Sequence, residues 1–251
     1  MKFFAVFVAF LLMSFLPERQ TKLRIFMAGD STMSVKAKAA YPETGWGMPF
    51  VEFWNDQVEV VNRAKNGRST KTFRSEGIWT NMLNEMEAGD YVFIQFGHND
   101  EVPEKLGSFS TPAEFTINLK QYIAETRAKK AIPVLMTPVA RRKFDATNIP
   151  VGTHDAYSAL VRQVASAEQV VLIDHDSLSM AVYGKIGVES SKLLFLHLQP
   201  GEHPNYPAGK EDNTHFNELG ARLMAQLVLQ EIRLKIPELA NFIYSIQNSK
   251  S

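Results

Sequence analysis

"LRIFMAGDSTM", residues 23–33, is the stretch that decides the fold. Leu23–Ala28 is a near-continuous apolar run rather than an alternating one, as a parallel strand covered on both faces requires. The run ends abruptly in Gly29-Asp30-Ser31-Thr32. The same grammar recurs along the chain. Val58–Asn62 (VEVVN) leads into Arg63–Ser69, which contains Asn66-Gly67. Tyr91–Phe96 (YVFIQF) leads into Gly97-His98-Asn99-Asp100, and Ile132–Met136 (IPVLM) into Thr137–Arg142. Val170–Ile173 (VVLI) is a fifth candidate strand.

Helix-period segments separate these runs: Gly47–Asn55, Phe73–Met86, Pro112–Lys129, Asp155–Ala167, about Ser177–Tyr183 with a further turn after Val188, and Asn217–Leu234. Thr111-Pro112 is a good helix opening, a capping threonine followed by proline at the first position. Repeated strand–helix units predict an α/β fold, a three-layer α/β/α sandwich around about five parallel strands. In such sheets a ligand sits beyond the carboxyl ends of the strands, where strand order reverses.

Composition narrows the classes. The chain has 251 residues, of which 45% are hydrophobic, enough for one domain with a large core, residues 23–251. Lys+Arg and Asp+Glu are both 27, which argues against a general nucleic-acid or membrane-surface binder. There is no cysteine, hence no disulfide and no thiolate metal site. Residues 1–22 read as a signal peptide: Lys2, an apolar run from Phe3 to Leu16, then Pro17-Glu18-Arg19. That run is shorter than the about 20 residues that span a bilayer. The mature chain is therefore expected to be exported, periplasmic or secreted, and not stably inserted in a membrane.

The chemistry follows from what the strand ends carry. Ser31 is a candidate nucleophile, and a serine hydroxyl needs a base to take its proton. "KEDNTHFNELG", residues 210–220, offers one: Asp212 stands three residues before His215, ahead of the last helical pattern. Asp212 and Thr214 there could equally cap that helix. On the other reading the carboxylate orients the imidazole, which activates Ser31. The backbone N–H groups of Ser31 and Gly67 and the Asn99 side-chain amide are candidate donors for a developing oxyanion.

With these residues in place the chain resembles the SGNH or GDSL hydrolases. Their four signature positions fall on Ser31 in "AGDSTM", Gly67 in "NGRS", Asn99 in "GHND" and His215 in "DNTHF". "TGWG", "GRSTKTF", "FIQFGHND" and "GEHPNYPAGKEDNTHFNELGA" resemble the rhamnogalacturonan acetylesterase branch more closely. The resemblance implies a flavodoxin-like fold and serine esterase chemistry without metal or cofactor. It implies a triad of Ser31, Asp212 and His215, and an oxyanion hole of Ser31, Gly67 and Asn99. The implied substrate is an acetylated anionic polysaccharide or oligosaccharide of pectic type, another acetylated polysaccharide such as xylan being the alternative.

Two rivals stand beside that reading. A metallophosphoesterase would use His98, Asn99, Asp100, His197, His203, Asp212 and His215 as ligands, but leaves Ser31 without a role. A non-catalytic carbohydrate binder would stack sugars on Trp46 and Trp79, and has no use for the Ser-His-Asp set. The motif G-x-S-x-G is absent around Ser31, so an α/β-hydrolase elbow is not supported. His197–Asn213, with three prolines and two glycines, is expected to be an ordered loop walling the site.

Between Arg63 and Arg74 lie five basic residues (Arg63, Lys65, Arg68, Lys71 and Arg74) and no acidic one, and Arg141-Arg142-Lys143 follow the fourth strand. These clusters are expected to attract an anionic substrate, with Arg68, beside Gly67, as the foremost contact. The alternative is solvated surface charge.

The leader is expected to be removed on export. Mass spectrometry of the protein from its native host is expected to show the first 16 to 22 residues missing; an intact N-terminus on a cytosolic protein would refute it.

Overall fold

The computed structural model describes residues 22–244, and within them the five apolar runs pair into one parallel sheet. Apart from Lys22, the leader lies outside the described residues. The strands are β1 (Leu23–Gly29), β2 (Val58–Asn62), β3 (Tyr91–Gln95), β4 (Ile132–Met136) and β5 (Val171–Ile173), in spatial order β2-β1-β3-β4-β5. From β1 the chain moves outward to β2, then crosses back over β1 to lay down β3. Strand order therefore reverses between β1 and β3, and the crevice beyond their carboxyl ends is the expected ligand position. Gly29 is the register partner of Gln95, so the segments beginning at Asp30 and Phe96 leave the sheet side by side.

Both faces are covered, and alternate residues divide between them. Met27, Phe93, Val134 and Ile173 pack into one buried cluster; Phe26, Ala28, Val92, Ile94 and Leu135 pack into the other. The helices are α1 (Gly47–Phe50), α2 (Thr70–Ser75), α3 (Ile78–Glu85), α4 (Pro112–Ala128), α5 (Asp155–Ala167), α6 (His175–Ile186), α7 (Val188–Ser191), α8 (Glu218–Lys235) and α9 (Pro237–Ala240). Trp46 and Phe50, with Met224, Val228 and Ile232 of α8, fill the first cluster. Trp79 and Met82 of α3, Phe115, Leu119 and Tyr122 of α4, and Val161 and Val164 of α5 fill the second. Each large apolar side chain so buried contributes roughly 1.5–3 kcal/mol.

The helix expected over Phe73–Met86 is two helices, because the chain turns left-handed at Gly77 (φ 75°). The one expected over Gly47–Asn55 is a single α-turn continued by a 3-10 turn at Val51–Phe53. Thr111 does cap α4: its hydroxyl accepts from the Glu114 N–H, and the Glu114 carboxylate accepts from the Thr111 N–H.

The largest difference is in the expected long loop. β6 (Phe195–Leu198) and β7 (Lys210–Phe216) form an antiparallel ribbon, and residues 199–209 are the connection. Lys210–Phe216 (KEDNTHF) is rich in residues that disfavour strands, so its extended form rests on pairing with the apolar β6. The connection is ordered by side chains: Asn205 Nδ2 donates to Tyr41 O at 2.8 Å and Tyr206 Oη to Ala40 O at 2.8 Å.

Gly45 shows how tightly the turn carrying Ser31 is packed. A Cβ there would lie 2.0 Å from Ser34 O and 2.8 Å from Met33 C, both backbone atoms. Gly45→Ala is expected to lower stability by at least about 1–3 kcal/mol, the usual cost of overpacking. That is a fall of roughly 3–10 °C in Tm, read by thermal denaturation. An unchanged Tm would show that the turn can yield.

Candidate active site

Ser31 sits in the turn that follows β1. The buried Asp30 holds that turn: its Oδ1 accepts from the Thr32 N–H at 3.0 Å and the Thr32 hydroxyl at 2.8 Å. Ser31 Oγ is 3.0 Å from His215 Nε2, and His215 Nδ1 is 2.9 Å from Asp212 Oδ2. An ionised carboxylate can only accept, so Nδ1 carries the ring proton in that contact. The Nε2 lone pair then faces the serine hydroxyl, the arrangement a general base needs.

Asp212 and His215 both lie on β7, not in a helix cap as one reading of the sequence allowed. Residues three apart on a straight strand point to opposite faces, yet these two touch. The cause is a bulge. Leu196 is opposite Asp212 while its neighbour Phe195 is opposite Phe216, so Asn213, Thr214 and His215 loop out of the ladder. Asp212 Oδ1 closes the loop by accepting from the Thr214 N–H at 2.7 Å and the His215 N–H at 3.0 Å. Burial pushes the Asp212 carboxyl up, but the hydrogen bonds from the His215 ring and backbone and from Thr214 outweigh it. The group is held well below the usual carboxylate range. Capping of α8 falls instead to Asn217, whose side chain accepts from the Gly220 N–H.

The candidate oxyanion donors lie on cross-linked segments. The Lys65–Arg68 turn is tied to β1 by the Lys65 N–H, which donates to Gly29 O at 3.0 Å, and Gly67 at its crest has φ 76°. That value favours glycine, and the space a Cβ would enter is open. Asn99 Nδ2 donates one hydrogen to Arg68 O at 2.9 Å, leaving its second N–H available. Beside it the ring of His98 rests 4.2 Å from that of His154, and His154 Nδ1 is 2.9 Å from Glu101 Oε2. Burial holds the His98 ring well below its ordinary pKa, with His154, Arg141 and His215 adding to the effect.

The residues of the metal reading are spent apart. Asp100 accepts from Thr70, His197 faces Asn213, His203 accepts from the Asn205 N–H, and His215 and Asp212 face each other. Among the described residues no group of three or more His, Asp or Glu side chains is gathered as a metal site. Trp46 and Trp79 are 0% and 1% exposed, so neither offers a stacking face for a sugar.

The basic clusters are also largely engaged. Arg63 pairs with Glu85, Arg68 and Lys65 with Glu76, Arg74 with Glu125, and Arg141 with Glu101. Arg68, expected as the foremost substrate contact, also donates to Asn66 O at 2.7 Å and so braces its own turn. Arg142 clamps the bulge: it donates to Asn213 Oδ1, Ser191 Oγ and Val188 O. The partner carboxylates lie outside the clusters in sequence, which is why the local run looked uncompensated. No sequence signal marked Lys36, Asn66 or Arg142 as supports of the site.

A groove of about 1290 Å³ is lined in part by Lys36, Tyr41, Thr44, His203, Asn205 and Glu218, and by none of Ser31, Gly67, Asn99, Asp212 and His215. Thr44 joins it to the strand of His215, its N–H donating to Phe216 O at 2.8 Å. His203, Pro204 and Asn205 of the 199–209 connection line this groove.

The model of the GDSL-like lipase/acylhydrolase family matches residues 27–223. Rhamnogalacturonan acetylesterase RhgT of Bacillus subtilis is 40% identical over 210 residues, 84% of this chain and 89% of its own. Among solved structures, protein YxiM of Bacillus subtilis superposes with a TM-score of 0.74 at 28% identity, over 86% of this chain and 57% of that one. A catalytic mutant of Axe2, an acetylxylan esterase from Geobacillus stearothermophilus, superposes with a TM-score of 0.60 at 19% identity. That alignment covers 84% of this chain and 94% of the other, and is a likeness of fold.

Asp100 gives the site a pH-dependent support. Burial pushes its carboxyl up to about 7, against hydrogen bonds from Thr70 and Ser110. Between about pH 4 and about pH 7 the folded chain holds a proton that the unfolded chain has released. Stability from this group therefore falls as pH rises through that window. In thermal denaturation, Tm of the wild type is expected to fall by several degrees more than that of Asp100→Asn between about pH 5 and about pH 8. Parallel profiles would remove Asp100 as the cause.

Proposed function

The chain belongs to the GDSL-like lipase/acylhydrolase family and is a carboxylic ester hydrolase, and from that premise we propose a serine carbohydrate acetylesterase acting on pectic, rhamnogalacturonan-type polysaccharide. The observation that carries the mechanism is the hydrogen-bonded line from Asp212 through His215 to Ser31, 2.9 and 3.0 Å. Ser31 Oγ attacks the acetyl carbonyl carbon as His215 Nε2 takes its proton. The oxyanion is met by the N–H groups of Ser31 and Gly67 and the second N–H of Asn99. Collapse breaks the bond to the sugar oxygen, which leaves with the proton held by His215. A water activated by the same ring then cleaves the acetyl-serine, releasing acetate and restoring Ser31. Asp212 stays ionised throughout, orienting the ring and stabilising its charged form.

Support for the pectic substrate is the 40% identical relative, which is named a rhamnogalacturonan acetylesterase. Galacturonate in such a polymer makes the substrate anionic. With the Arg63–Arg74 run largely ion-paired, recognition of that charge does not rest on the run as a whole.

The test is acetate release from acetylated rhamnogalacturonan, acetylated xylan and a small aryl acetate. Ser31→Ala and His215→Ala are each expected to lower the rate by about 10⁴-fold or more, the double variant being little worse, because the groups act as a unit. Asp212→Ala is expected to cost less. Asn99→Ala, which removes one oxyanion donor, is expected to cost on the order of 10²–10³ in kcat. Wild-type turnover by Ser31→Ala would sink the mechanism. Equal kcat/KM on the xylan and the rhamnogalacturonan would sink the pectic assignment and leave the esterase.

A further inference from the structure

Lys36 is a buried charge that the proposed reaction does not use. It lies five residues beyond Ser31, its side chain 2% exposed. Nζ is 2.7 Å from Glu43 Oε1 and 2.8 Å from Asn66 Oδ1. Ser34 Oγ donates to the same Asn66 oxygen at 2.6 Å. Removing an ammonium group from water carries a penalty that a single carboxylate repays only when its other donors are also satisfied. Burial accordingly pulls the Lys36 pKa down against the pull of Glu43. Asn66 Oδ1 supplies part of that compensation, so the buried charge and the asparagine hold each other.

What Asn66 carries makes this contact consequential. It stands exposed in the Lys65–Arg68 turn, which closes on itself through the Arg68 N–H to Lys65 O at 3.3 Å and Arg68 Nη1 to Asn66 O at 2.7 Å. The peptide between Asn66 and Gly67 provides the Gly67 N–H, and the plane of that peptide follows the Asn66 backbone. A side chain fixed at its tip by Lys36 and Ser34 therefore restrains the direction of that N–H. Ser34 belongs to the turn that carries Ser31, so the same oxygen ties the nucleophile turn to the oxyanion turn.

We infer that Lys36 is a positioning residue for ester hydrolysis: its buried ammonium, with Ser34, latches Asn66 and so holds the Gly67 N–H toward the oxyanion. The inference rests on the serine mechanism proposed above, in which Gly67 is a donor. An oxyanion exists in the transition state and not in the bound ester, so a loosened donor lowers kcat and spares KM.

The experiment compares Lys36→Met, Asn66→Ala and the double variant with the wild type, in steady-state kinetics on an aryl acetate, after circular dichroism has established folding. Each single variant is expected to lower kcat by about 10-fold, a fraction of the 10²–10³ lost with a whole donor, with KM within about 2-fold. The double variant is expected to be no slower than the slower single, since both changes open one latch. Folded single variants with wild-type kcat, a change confined to KM, or losses that multiply in the double variant would each overturn the inference. If Lys36→Met does not fold, Asn66→Ala on its exposed turn decides alone. Ser31→Ala is measured alongside: activity surviving there would overturn the serine mechanism, whereas an inactive Ser31→Ala beside fully active latch variants overturns the latch only.

Discussion

Parallel pairing of β1 with β3, Gly29 opposite Gln95, is the constraint on which the rest depends. Because the chain visits β2 on one side of β1 before returning to β3 on the other, no crossover covers the carboxyl ends of these two strands. Ser31 and Asn99 are consequently delivered to one crevice without any direct bond between them. Everything else at the site holds loops to that edge: Asp30 on Thr32, Lys65 on Gly29, Asn99 on Arg68. The two apolar layers make the edge rigid, since shifting β1 against β3 would unseat Phe26 and Met27 from clusters on opposite faces.

His215 reaches this edge from outside the sheet. His215 arrives on a two-stranded ribbon whose bulge turns the ring back on Asp212, and Arg142, from the segment after β4, pins the bulge at Asn213. An arginine in a basic run thus serves the geometry of a histidine 73 residues further on. Charge here works through pairs. The chain is neutral overall, and the basic segment Arg63–Arg74 meets Glu76, Glu85 and Glu125 in space. Exposed pairs of this kind contribute little stability, but they cancel much of the local field that the run would otherwise present to a substrate.

The layered α/β architecture was legible in the sequence because it is written in short-range patterns. Near-continuous apolar runs specify strands buried on both faces, and the intervening helical periods specify parallel connections. Gly-Asp-Ser and Gly-His-Asn-Asp were legible as site segments for the same reason: small and polar residues replace apolar ones where strands end. Ser31, Gly67, Asn99, Asp212 and His215 could be named as candidates from residue type, position and resemblance.

Their arrangement is a product of tertiary structure. KEDNTHF has poor strand propensity and extends only because β6 pairs with it, and the Asp212–His215 contact exists only because that pairing skips three residues. The carboxylates that neutralise the basic run, and the buried contact of Lys36 with Asn66 across 30 positions, leave no local pattern. Composition and periodicity report what a residue does to its neighbours in the chain. Which distant group a charge or a hydrogen bond meets is decided by packing, and that is where the alignment of Asp212, His215 and Ser31 was determined.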